Sequence, residues 1–208
     1  QEVAFYDGNL HKYLAFRRSH AAKEGHPECQ SCVGEVCGKG EAAARTVTRC
    51  VSDDFIDWPG CEDVPFLSPQ PLNENCSMVL GFDAFDDPCV DVYNSQAIQF
   101  SGTETHYLMF ASAYWHFPAP PAWELGGDGM WDVRLAHSRT GFDFKYINDD
   151  RSPWIPRGQM AAPRPNAKTF WPSNDSWDSA MVGVARGLLR VNGRLRMWKW
   201  GDIGTHGE

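Results

Sequence analysis

Two aspartates, Asp91 and Asp178, each stand where a run of residues starts to alternate into a strand. A pair of carboxyl groups, one protonated and one ionised, is what general acid/base cleavage of a glycosidic bond requires. Tyr93 and Asn94 follow Asp91, and Trp177 precedes Asp178. Arg17, Tyr114, Trp115 and His206 stand at or beyond the exits of other strands. Aromatic rings stack on the apolar faces of sugars, and the planar fork of arginine grips a carboxylate. The sequence therefore nominates Asp91 and Asp178 as catalytic groups, with Arg17, Tyr93, Asn94, Tyr114, Trp115, Trp177 and His206 as contacts to a carbohydrate. Trp123, Trp154 and Trp171 are further aromatic platforms, several of which must instead pack their own loops. Asp83, Asp86 and Asp87 read as solvated turn residues, since their spacing lacks the alternation of a calcium loop.

These groups have to be positioned by strands. Residues 3–6 and 13–16, 97–100 and 107–110, and 188–191 and 195–198 each form two apolar runs around a polar, glycine-containing turn, the chemistry of a β-hairpin. Tyr13, Tyr107 and Met197 follow one another at offsets of 94 and 90 residues. A second kind of hairpin lies between them, with 44–51 running through Ser52-Asp53-Asp54 into 55–58, and 133–137 through Ser138-Arg139-Thr140-Gly141 into 142–146. Ser52 and Ser138 are 86 residues apart. A repeat of four antiparallel strands is the unit of a β-propeller blade, and no stretch carries a 3.6-residue apolar period. The expectation is an all-β fold, a propeller of four-stranded antiparallel blades with repeat units near 1–58, 91–146 and 178–208. Only two to three blades fit into 208 residues, so the chain reads as part of a larger propeller. The long connections, 18–43, 59–91, 113–131 and 147–178, all emerge on one face of such a fold, and that face is where a site is expected.

Composition narrows the class. The net charge of −8 argues against nucleic acid or an anionic membrane as a partner, and no apolar run is long enough to span a bilayer. Dinucleotide, phosphate-loop, zinc-protease and serine-hydrolase motifs are absent, so no cofactor is called for. All seven cysteines lie between Cys29 and Cys89. Cys29-x2-Cys32-x4-Cys37 resembles half of a zinc knuckle but lacks a fourth ligand, and disulfides in a secreted domain are the better reading. The triplets Asn75-Cys76-Ser77 and Asn174-Asp175-Ser176 agree with export, which places the chain in an extracellular or secretory compartment.

Gln1-Glu2-Val3-Ala4-Phe5-Tyr6-Asp7 leading into Tyr13-Leu14-Ala15-Phe16-Arg17 resembles the first hairpin of five-bladed β-propeller proteins related to glycoside hydrolase families 32 and 43. The stretches 51–58, 91–110 and 136–144 are similar to the family's strands and to its Ser-Arg-Asp-Gly turn, with Thr140 in place of the usual aspartate. Pro156-Arg157-Gly158 and residues 200–207 match two further short motifs with exchanges. This resemblance implies a funnel-shaped carbohydrate site on the propeller axis and three carboxylates, one from the inner strand of each of three blades. Asp91 and Asp178 occupy two such strand entries. The third falls on a strand preceding Gln1, and residues 183–187 offer no glutamate as general acid. A propeller that binds a glycan or a protein without turnover is therefore the alternative, and a metal-stapled interaction module around 29–61 a third.

Overall fold

The computed structural model of the protein describes residues 3–22, 43–61, 75–87, 90–100, 103, 105–115, 129–159 and 176–203. Every regular element among them is a strand, and none of the described residues is helical. In chain order the strands are β1 (Val3–Asp7), β2 (Lys12–Ala22), β3 (Ala43–Ser52), β4 (Cys76–Leu80), β5 (Val90–Gln99), β6 (Tyr107–Trp115), β7 (Met130–Ser138), β8 (Lys145–Tyr146), β9 (Met181–Val184), β10 (Leu189–Val191), β11 (Arg194–Arg196) and β12 (Lys199–Asp202).

β1 to β4 form one antiparallel meander in sequence order. β5, β6 and β7 form a second, whose outer edge is shared by β8 at one end of β7 and by β9 at the other. β9 and β10 make one interrupted strand that folds back on β11 and β12, so residues 181–202 are the third hairpin of the repeat. Its tip is the two-residue turn Asn192-Gly193, with φ of 50° and 76°, the doubly positive geometry that matches strand twist and that this dipeptide tolerates best. The β5–β6 register slips between Val92 and Ser95, and this bulge turns Tyr93 and Asn94 out of the ladder.

The layers follow from period-two alternation. Tyr107, Met109 and Ala111 of β6 join Leu14, Phe16 and Val47 of the first sheet in one core. Their neighbours Phe110 and Tyr114 point the other way, toward Val182 and Met181 of the third hairpin. One face of the second sheet packs on the first sheet, and its other face meets side chains of the third hairpin, whose β9 and β12 continue the same sheet beyond β7 in an open, curled arrangement. Each fully buried aliphatic side chain in these layers contributes about 1.5–3 kcal/mol.

Two expectations need correction. Residues 55–58 do not form a strand. Asp54 Oδ1 accepts from the backbone N–H groups of Ile56 and Asp57 at 2.9 Å each, which removes the donors a ladder needs. The strand beside β3 is instead β4, inside what the sequence reads as the long connection 59–91. Of residues 142–146 only Lys145 and Tyr146 pair with β7. The turn repeat itself is real in atomic detail. Ser52 Oγ accepts from the N–H groups of Asp54 and Phe55, and Ser138 Oγ accepts from those of Thr140 and Gly141. The fourth residue has positive φ in both, 69° at Phe55 and 74° at Gly141.

Candidate functional site

Asp91 lies near the start of β5, 2% exposed, directly across from Tyr114 on β6. Its Oδ2 accepts from the backbone N–H of Arg45 at 3.1 Å and from the Arg45 guanidinium at 3.3 Å. The same guanidinium sits 4.9 Å from the ring centre of Tyr93 and 5.0 Å from that of Tyr114, and Arg18 approaches Tyr93 at 5.1 Å. Two guanidinium groups over one ring make favourable cation–π contacts, and the buried Asp91 carboxylate anchors one of them, Arg45.

From Tyr93 the aromatic contacts run on. Its ring stacks on Tyr114 at 5.0 Å and on Trp131 at 5.2 Å, and Trp131 meets Trp200 edge to face at 5.5 Å. Tyr114 and Trp131 are buried, whereas Trp200 is 38% exposed and reaches the surface. The residues flanking it on β12, Lys199 and Gly201, meet the second aspartate from the other face of the strand. Asp178 is 5% exposed and accepts from Lys199 Nζ at 2.8 Å, and the same ammonium lies 4.9 Å from the ring centre of Trp177, itself 55% exposed.

Three glycines let the backbone close on this corner. A Cβ at Gly201 would stand 2.4 Å from Asp178 Cβ and 2.6 Å from the Trp177 ring; at Gly158, 2.3 Å from Asp178 Oδ1; at Gly183, 2.5 Å from the Trp200 ring. None of the three has positive φ, so close approach is what excludes a side chain here.

A third carboxylate escaped the sequence reading. Asp132 of β7 is buried on the opposite face of its strand from Trp131, and Trp115 Nε1 donates to it at 3.0 Å. Burial raises its pKa, opposed by the Trp115 hydrogen bond and by the charges of Arg134 and Arg157. On β2, His20 stands across from Arg45. Burial and then the charges of Arg45 and Arg18 push its pKa down to about 4, against a smaller upward pull from Asp91. An unfolded histidine takes up a proton near pH 6.5. Between that pH and about 4 the unfolded chain binds the extra proton, so stability must fall as the pH is lowered through this window. Thermal unfolding at pH 7.5 and 4.5 checks this, and a His20→Gln variant is expected to lose less on acidification than the wild type.

The nominated residues fall into separate groups. Asp91, Tyr93 and Tyr114 come together, with Asn94 half-buried beside them in the β5 bulge. Trp177 and Asp178 form the second group, meeting Lys199 and Gly201 of β12, whose Trp200 contacts Trp131 of the first group. Arg17 is elsewhere: its guanidinium donates to the Cys61 carbonyl at 2.8 Å, beside a disulfide. Trp115 faces Asp132 rather than the aromatic layer. Trp154 is exposed and lies against Phe110, while His206, Trp123 and Trp171 fall outside the described residues. Asp86 is not solvated. Its side chain is 5% exposed and bonds Arg134 at 2.7 Å. Arg45, Trp131, Lys199 and Asp132 were missed; of these, Trp131 and Asp132 carried a signal, as an aromatic and a carboxylate at a strand entry.

A cavity of about 300 Å³ opens at the other ends of β1 and β5, next to the short turns, lined by Phe5, Tyr6, Ile98, Phe100, Arg186 and Leu188. Neither a protein-family model nor a curated protein sequence matches the chain.

Proposed function

We propose that this protein recognises a carbohydrate, and that the sugar is held at the Trp177–Asp178–Lys199 corner of a propeller-like stack of blades. The observation carrying this reading is the exposed Trp177 indole beside a buried, ion-paired carboxylate. Indole faces take the C–H surface of a sugar ring, while Asp178 accepts from hydroxyls and Lys199 donates to them. Layered packing of the hairpins supports the propeller, and the resemblance to glycoside hydrolase families 32 and 43 agrees with a glycan ligand. The Cys50–Cys61 disulfide fits an oxidising, extracellular or secretory setting.

Hydrolysis by acid/base chemistry is the second reading, and Asp132 favours it. A carboxyl group whose pKa is raised by burial is the kind of group a general acid needs, although it opens on the face of β7 away from Trp131. Asp91 and Asp178 are each next to a cation, but Asp91 shares the Tyr114–Trp131 face rather than that of Asp132. Incubation with a glycan panel and assay for new reducing ends tests it; no product from any glycan that binds rejects turnover and leaves recognition standing.

Recognition is tested by screening a glycan panel and measuring affinity for the best ligand by calorimetry. Trp177→Ala is expected to weaken binding by about tenfold, the equivalent of one lost stacking contact. The indole is more than half exposed, so thermal stability should change little.

A further inference from the structure

The sulfur atoms of Cys50, Cys61 and Cys76 all lie within 4.8 Å of one another, and all three residues are buried. Cys50 is bonded to Cys61, 11 residues on, with 6.1 Å between their Cα atoms. Cys76 is the register partner of Cys50 in the antiparallel β3–β4 pair. Facing residues in such a pair have Cα atoms about 4.5–5.5 Å apart, inside the about 4.4–6.8 Å that a disulfide spans. Cys50 can therefore reach either sulfur with the strands where they are. Cys76 carries a titratable thiol whose pKa burial raises, against the opposing charge of Arg17. That guanidinium is fixed by its hydrogen bond to the Cys61 carbonyl.

We propose that these residues form a thiol–disulfide exchange site in which Cys50 alternates between Cys61 and Cys76. The Cys76 thiolate attacks Cys50 Sγ. The Cys50–Cys76 bond forms as the Cys50–Cys61 bond breaks, and the electron pair, followed by a proton, goes to Cys61 Sγ. One disulfide and one thiol stand on each side, so no external oxidant or reductant is consumed. The two states differ in what they tie together. Cys50–Cys61 closes the loop that holds the Ser52 turn, and Cys50–Cys76 staples β3 to β4. Arg17, which the sequence assigned to a sugar, is a positioning residue here. It favours the attacking thiolate at Cys76, and its hold on Cys61 keeps the three sulfurs together.

The test is disulfide mapping by mass spectrometry of non-reduced peptides, with released thiols trapped by alkylation. In Cys61→Ser equilibrated in glutathione buffer, the Cys50–Cys76 peptide is expected to become the main species. In wild type held at pH 8.5, it is expected to appear alongside Cys50–Cys61 over minutes to hours, and Arg17→Gln should slow that appearance severalfold with unchanged circular dichroism. The proposal is overturned if Cys61→Ser, folded as wild type, leaves Cys50 and Cys76 both open to alkylation. Should that variant not fold, wild type showing only Cys50–Cys61 at every time point overturns it, as does one tightly held zinc ion per chain that blocks all three thiols.

Discussion

Asp86→Ala is expected to destabilise the protein by about 3–5 kcal/mol, the cost of leaving a buried charge without its partner. Asp86 lies in the turn before β5, and its Oδ1 accepts from Arg134 at 2.7 Å and forms an ion pair with Arg151, whose Nε lies 3.3 Å away. The Arg134 and Asp86 side chains are 3% and 5% exposed, so water cannot replace either partner. Arg134 also lies over the rings of Trp115 and Tyr146, which hold it in place once its counter-ion is gone. A protein of this size is stable by only about 5–15 kcal/mol in total, so the loss is a large share and lowers the melting temperature by roughly 10 °C. Urea unfolding reads it directly. The double variant Asp86→Ala, Arg134→Met removes both charges and is expected to regain most of the loss. A single-variant loss below about 1 kcal/mol would mean that the pair is solvated.

The second large effect is at Gly201. An alanine there places its Cβ 2.4 Å from Asp178 Cβ and 2.6 Å from the Trp177 ring, so one of the two chains must move. The strain costs about 1–3 kcal/mol of stability. The functional cost is larger in proportion, because the same movement separates Asp178 from Lys199 and shifts the Trp177 indole. Glycan affinity is expected to fall at least about tenfold, more than the strain alone accounts for. Gly8→Ala is the control, since nothing lies within 4 Å of its added carbon. Equal affinities for the two variants would show that the corner is not where the ligand sits.

Local chemistry made the hairpins legible in the sequence. Alternation, polar turns and the paired serine turns at 52 and 138 all reflect bonds made within a few residues. The fourth strand of the first sheet was misread because its place depends on what β3 recruits at a distance. Residues 76–80 carry only a short apolar run, and what makes them a strand is the open edge of β3. The same division holds at the candidate site. Asp91 lies at the start of β5 as alternation suggested, whereas Asp178 sits in the turn three residues before β9, and the cations that pair with them were not readable. Arg45 comes from β3, 46 residues from Asp91, and Lys199 from β12, 21 residues from Asp178. The misplacement of Arg17 turns on a single residue. Neighbours on a strand point to opposite faces, so Arg17 goes to the disulfide and Arg18 to Tyr93, and nothing local says which face meets which.

The Trp177 indole beside Asp178 is what holds the sugar in this reading. Calorimetric titration of the best glycan from a panel into wild type, Trp177→Ala and Trp154→Ala tests it most directly. Both tryptophans are about half exposed, and only Trp177 adjoins the Asp178–Lys199 pair. A roughly tenfold loss confined to Trp177→Ala is the result predicted. Undiminished affinity in Trp177→Ala, or an equal loss in both variants, would contradict the claim.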